Sequence, residues 1–216
     1  MRFKTEGIVI NNFKHRETSI ITKIYTARFG IQNYVVNSVR KAKPRYSLSL
    51  FQPLTILDLV VYHKGGGLNR IAEIHCPKPF ESITYDVKKS TISLFITEIL
   101  SLSLHEEEEN AAMFEYIVKS IWSFDRMSER YHNFHLQFLL KLSRFLGFGL
   151  ESPEKLYTES MDSSKSGNYE LKDYTKINEL LKSDFMNEIM LNNEERRRIL
   201  DIPTQAGIPR LQRYFL

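Results

Sequence analysis

The period of the hydrophobic pattern changes once along this chain, near Phe80, and that change divides what it can fold into. Before it, apolar residues come in short runs rich in β-branched side chains. After it, they recur at helical spacing. Five runs precede the change: 3–10, 19–25, 31–36, 54–62 and 68–76. The glycines of HKGGG between the last two permit positive φ and predict a hairpin. Five short strands in about 75 residues, with no long helix between them, predict a small closed or partly closed barrel, since closure removes exposed strand edges. A further apolar run beginning at Leu48 is read as part of the next strand, so that the segment before it is a loop between two strands.

Beyond Phe80, Ile92, Phe95, Ile96, Ile99 and Leu100 mark one helix face, and Met113, Phe114, Ile117, Val118, Ile121 and Trp122 a second. Phe134, Phe138, Leu139, Leu142, Phe145 and Leu146 mark a third, with Gly147 or Gly149 as its stop. The glutamates of 106–109 suit the positive start of the second helix. Residues 151–168 are polar and read as a loop. Ile177, Leu180, Leu181 and Phe185 resume helical spacing. A short helix over 194–200 should end before Pro203, Gly207 and Pro209. The expected fold is α+β in two domains, a barrel over 1–79 and an all-helical domain over 80–216.

Charge follows the same division. Residues 1–80 hold 13 Lys and Arg against 4 Asp and Glu, and the remainder 17 against 22. Such asymmetry suggests a polyanion-binding part joined to an acidic one. Four cations, Arg40, Lys41, Lys43 and Arg45, lie within six positions in the predicted loop, with Lys14, Arg16, Lys23, Arg28 and Arg70 elsewhere in the barrel. Lys and Arg are almost never fully buried, so the cluster predicts contact with nucleic acid. Cations neutralise phosphates and release counterions, and aromatic rings stack on bases. The candidate rings are Phe13, Tyr25, Phe29, Tyr34 and Tyr46. Tyr46, inside the loop, is the one most expected to be displayed.

Catalytic patterns are missing. There is no G-x-x-x-x-G-K-[ST] and no G-x-G-x-x-G. His105 with Glu106–Glu109 fails the H-E-x-x-H pattern, because position 109 is Glu. The single cysteine, Cys76, can form neither an intramolecular disulfide nor a cysteine-rich zinc site. No secretory leader and no run of about 20 apolar residues is visible. A non-enzymatic, cofactor-free, cytoplasmic protein without membrane contact is expected.

Several segments carry a resemblance. TEGIVI at Thr5–Ile10, RETSIITKIYTARFG at Arg16–Gly30, and VRKAKPRYSLSLFQPLTIL from Val39 resemble the opening of the RecO family of bacterial recombination mediators. FITEILSLSL at Phe95–Leu104 and LQFLLKLSRFLGFGLE at Leu136–Glu151 resemble its first and central C-terminal helices. The resemblance implies an N-terminal OB-fold and a helical C-terminal domain. It implies binding to single- and double-stranded DNA, annealing of complementary strands, and help in loading RecA onto strands coated by single-stranded-DNA-binding protein (SSB). It also implies partnership with RecR and with the acidic, hydrophobic SSB C-terminal tail, and a place at the nucleoid. Many members carry four zinc-binding cysteines after the Leu-Gly-Phe helix; residues 151–167 hold none, and zinc is not expected.

The site expected on these grounds consists of Lys14, Arg16, Arg28, Arg40, Lys41, Lys43, Arg45 and Tyr46 for DNA. Lys141 and Arg144, beside Leu142 and Phe145, are the candidates for an acidic, apolar tail peptide. Two other functions fit the same residues: an RNA-binding OB protein, since phosphate contacts do not distinguish the two nucleic acids, and an adaptor whose basic surface docks an acidic protein.

Overall fold

The structure, a computed structural model, describes residues 1–64, 67–105, 107–147, 171–187 and 189–205. Five strands form: β1 (Arg2–His15), β2 (Ser19–Thr26), β3 (Gly30–Val36), β4 (Ile56–Tyr62) and β5 (Leu68–His75). They close a barrel in the order β1-β2-β3-β5-β4, with β3 and β5 parallel and the other pairs antiparallel. This is an OB-like barrel. Closure makes β1 serve two neighbours. It pairs with β4 from Arg2 to Ile8 and with β2 from Gly7 to His15, and its register shifts between Val9 and Asn11 where it bends. Gly7 stands where the two pairings overlap. A Cβ there would lie 2.7 Å from Ile24 Cγ2 and 2.9 Å from Leu59 Cδ1, so the close approach of three strands requires glycine. Val9, Ile20, Ile24, Tyr34, Val36, Leu57, Leu59 and Val61 fill the interior.

Residues alternating with that interior should face solvent, yet one row does not. Ile8, Tyr25 and Ile31 lie opposite one another in register on the outside of β1, β2 and β3, and all three are buried. Helices α1 (Val87–Ser103) and α2 (Ala111–Arg126) pack on this side at β1 and at Tyr25. The Tyr25 ring sits 5.7 Å from that of Phe114 on α2, and Lys23 Nζ donates to the Ser101 carbonyl of α1 at 2.8 Å. The barrel and these two helices form one compact unit, Met1–Asp125, and Arg126–Leu216 forms a second. Compactness thus divides the chain later than the change of hydrophobic period.

Local chemistry sets the helix starts. Asp86 caps α1, accepting from the Lys88 and Lys89 N–H groups. For α2 the cap is Asn110, whose side chain accepts from Met113 N–H at 3.0 Å; Glu107–Glu109 lie before the cap and outside the first turn. The segment before α1 is locked by a buried knot. The Asp125 carboxylate accepts from the Glu81, Ser82 and Ile83 N–H groups at 2.9, 2.9 and 3.0 Å. Lys89, 1% exposed, donates to Ser82 Oγ and to the Phe124 and Asp125 carbonyls.

Three sequence expectations need correction. Leu48–Phe51 is a 3-10 turn capped by Ser47, not the start of a strand; β4 begins at Ile56, after Leu54 at φ 65°. Pro53 lacks the N–H that a ladder needs. Phe185 lies in a turn beyond the helix expected to carry it and packs against Phe134 at 4.8 Å. The last helix runs to Gln205, through Pro203, although a proline there can make no hydrogen bond to the Ile199 carbonyl.

In the second unit, α3 (Phe134–Phe145) packs Leu136 and Leu140 against Ile177 and Leu180 of α4 (Leu171–Lys182) and Ile199 of α5 (Asn193–Gln205). Arg198 grips the buried Asp173 carboxylate with two hydrogen bonds of 2.9 Å. Gly147, at φ +77°, follows the end of α3. The expected polar loop over 151–168, Gly65, Gly66 and Gly149 lie outside the described residues.

Candidate nucleic-acid interface

The β3–β4 connection leaves the barrel at Val36 and is pinned at both ends of its basic stretch. Val39 inserts into the barrel core, 3% exposed. Seven positions on, Tyr46 packs against the same core and its hydroxyl donates to the Ala72 carbonyl of β5 at 3.4 Å. Between these anchors, residues 40–45 are all exposed. The Arg40 N–H donates to the Thr18 carbonyl at 3.1 Å, and Ser19 Oγ lies 3.1 Å from Asn37 Oδ1. The arc is thereby tied to the β1–β2 turn, which carries exposed Arg16, at φ 54°, and Glu17, next to exposed Lys14 at the end of β1. Topology therefore gathers Lys14, Arg16, Arg40, Lys41, Lys43 and Arg45 at one end of the barrel. Among the described residues none of the six is paired with a carboxylate. Arg45 donates to the Ala72 carbonyl at 3.4 Å and lies 5.1 Å from the centre of the Tyr46 ring.

Arg28 is not part of that group. Its turn joins the end of β2 to the start of β3, whereas the arc follows the end of β3, so Arg28 stands at the opposite barrel end. Lys23 is committed to α1, and burial pushes its pKa down. Arg70 is exposed on β5.

The rings sort less favourably. Tyr34 is 0% exposed inside the barrel and Tyr25 2% exposed beneath α2, so neither can stack on a base. Inward alternation took the first and helix cover the second. Tyr46, expected to be displayed, is half-buried against the core. Phe13 is 56% exposed. Phe29 is half-buried and stacked on His63, ring centres 4.1 Å apart, a contact that no local sequence signal marks.

One flank of the barrel is acidic. Glu6 and Asp58 are opposite in register, and with Lys4, Glu73 and His75 they line a groove of about 500 Å³. Burial, then the Asp58 charge, raises the Glu6 pKa. Its three carboxyl groups against one lysine disfavour a polyanion there.

The tail-peptide candidates on α3 do not form one surface. Leu142 is fully buried in the helical core and cannot touch a docked peptide; it is removed from the site. Lys141 donates to the Ser183 carbonyl and lies 4.9 Å from the centre of the Phe185 ring, and burial pushes its pKa down. Arg144 is exposed, and Phe145 is 37% exposed. No helix among the described residues is long and apolar enough to cross a membrane.

Both parts of the chain match known proteins. The model for the recombination protein O N terminal matches residues 1–80, and that for the recombination protein O C terminal matches residues 84–160. A DNA repair protein RecO of Flavobacterium psychrophilum is 37% identical over 214 residues, covering 94% of this chain and 89% of that protein. The chain belongs to the RecO family of DNA repair proteins. RecO proteins of Bacteroides fragilis and Phocaeicola vulgatus are 41% and 39% identical over 145 residues, covering 67% of this chain and 60% of theirs. The segments of this RecO-family chain that carry the resemblance lie on the elements just described. The glycine of TEGIVI is the strand crossing at Gly7. The Thr-x-x-x-Gly of its second segment is the turn in which Thr26 Oγ1 accepts from Phe29 N–H and donates to the Gly30 carbonyl, with Gly30 at φ 58°.

Proposed function

We propose that this RecO-family chain is a non-enzymatic recombination mediator whose barrel, residues 1–79, binds single- and double-stranded DNA through Arg40, Lys41, Lys43 and Arg45, supported by Lys14 and Arg16. One observation carries the reading: the arc is held at both ends by core residues and at Arg40 by a backbone bond, and its four cations are exposed without carboxylate partners among the described residues. A pre-ordered cationic loop loses little conformational entropy when phosphates dock. Neutralising two polyanions on one protein brings complementary strands together, and annealing then needs no bond chemistry. Membership in the family supports partnership with RecR, recognition of the SSB tail through Arg144 and Phe145, and assistance to RecA loading.

The test is charge reversal of the arc, R40E/K41E/K43E/R45E. The oligonucleotide held at the arc should be lost, with the circular dichroism spectrum unchanged. Stoichiometry and affinity both equal to those of the parent protein refute the site. Annealing of SSB-coated strands by the parent protein, lost in Arg144→Glu, checks the tail reading. RNA competing as well as DNA of the same sequence turns the reading toward a general single-strand binder.

A further inference from the structure

We infer that the barrel carries a second strand-binding surface at the end opposite the arc, where Arg2 and Arg28 lie over a layer of rings, and that one chain holds two single strands at once. The inference rests on the DNA-binding reading above. The β2–β3 turn is fixed by the two Thr26 hydroxyl bonds, and it holds Arg28 over Phe3 at 4.8 Å and Phe29 at 5.6 Å from ring centre. Phe3 and Phe29 meet edge to face at 5.4 Å. At the start of β1, in register with the end of β4, Arg2 Nε donates to the Tyr62 hydroxyl at 2.7 Å, with the guanidinium 5.1 Å from that ring's centre.

Both arginines are exposed, and among the described residues neither is paired with a carboxylate. A guanidinium resting on a ring keeps its N–H edge for a phosphate, and its planar fork matches phosphate oxygens two at a time. Phe29 is taken up by His63, but Phe3 and Tyr62, half-buried beside the guanidinium groups, give bases an apolar partner. A single-stranded polynucleotide supplies both groups, which a folded acidic protein surface does not.

The rest of the barrel keeps this surface apart from the arc. The outer face of β1 and β2 lies beneath α1 and α2, where Tyr25 and Lys23 are engaged. The flank of β1, β4 and β5 is the acidic groove of Glu6, Asp58 and Glu73. On the third flank, along β3 and β5, Arg70 stands in register with Tyr62 and Arg2 and so belongs to this second surface, and Glu73 follows it on β5 toward the arc. A strand bound at the arc therefore leaves the Arg2–Arg28 end open.

The experiment is a stoichiometric titration of the full chain with a fluorescent oligothymidylate of about 8 nucleotides, within the range one OB barrel occupies. Two strands should bind per chain. R2Q/R28Q should leave one, at unchanged affinity, and should slow annealing of complementary strands about tenfold. The arc reversal should leave the other. The parent stoichiometry needs no variant, so a folding defect in R2Q/R28Q does not blunt the test. One strand per chain, lost on arc reversal and indifferent to R2Q/R28Q, overturns the second surface while upholding the arc. No binding by the parent chain overturns both.

Discussion

Lys89 and Lys41 lie in regions that treat the same ammonium group in opposite ways. Around Lys89 the chain supplies Ser82 Oγ and two carbonyls within hydrogen-bond reach, beside the Asp125 carboxylate, and the group is 1% exposed. Burial pulls its pKa down, and the Asp125 and Asp86 charges oppose that shift. Around Lys41 the chain supplies only its own exposed arc. The first lysine holds the fold together and the second is left for a ligand. Formal charge says nothing about which is which; the difference lies in the acceptors that the fold delivers to each. Asp125 shows the same logic. Burial alone would raise its pKa, but the N–H bonds from Glu81, Ser82 and Ile83, with the Ser82 hydroxyl, hold it below the usual range.

The contrast can be broken most directly at the buried end. Lys89→Met should remove about 3–5 kcal/mol of stability in urea denaturation, because acceptors and a carboxylate are left enclosed without their cation. Oligonucleotide affinity of the folded fraction should not change. A loss under about 1 kcal/mol would place Lys89 with the surface cations. Next is Asp173→Ala in the second unit, with an expected loss of about 2–3 kcal/mol, since Arg198 retains some exposure to water.

A third case concerns a group held neutral. Burial, then the Arg196 charge, lowers the His135 pKa to about 4. Unfolded, the imidazole takes a proton below about pH 6.5. Between these values the unfolded chain binds more protons, so stability falls as pH falls. From pH 7 to 5 the loss should be on the order of 2 kcal/mol, and His135→Leu should flatten this part of the profile. An identical slope in that variant assigns the effect elsewhere. The smallest effect sharpens the exposed end. Lys41→Ala should move stability by less than about 0.5 kcal/mol. It should also reduce the log-affinity against log-salt slope for single strands by about 0.7. An unchanged slope means Lys41 touches no phosphate.

Much of this was legible before any coordinates. Alternation and glycine punctuation gave the five strands, and cations clustered in one loop gave the arc, because both are local signals. What escaped is non-local. Tyr25 and Tyr34 read alike as aromatic residues in strands, but a helix some 90 positions away covers one and the barrel interior takes the other. Lys23 looked as free as Lys41 until the end of α1 came to meet it. Arg28 was grouped with the arc because sequence distance hides which barrel end a turn occupies. Leu142 shares a helix with Arg144, and only the packing of the second unit shows that one faces inward.

The cover over Ile8, Tyr25 and Ile31 has a practical corollary. A fragment stopped at residue 80, where the N-terminal family match ends, would strip that apolar row bare and should clump in solution. Extending it to Asp125 keeps the row shielded. The fragment expected to stay soluble is therefore the barrel with its first two helices, and the family match and the compact unit do not share a border.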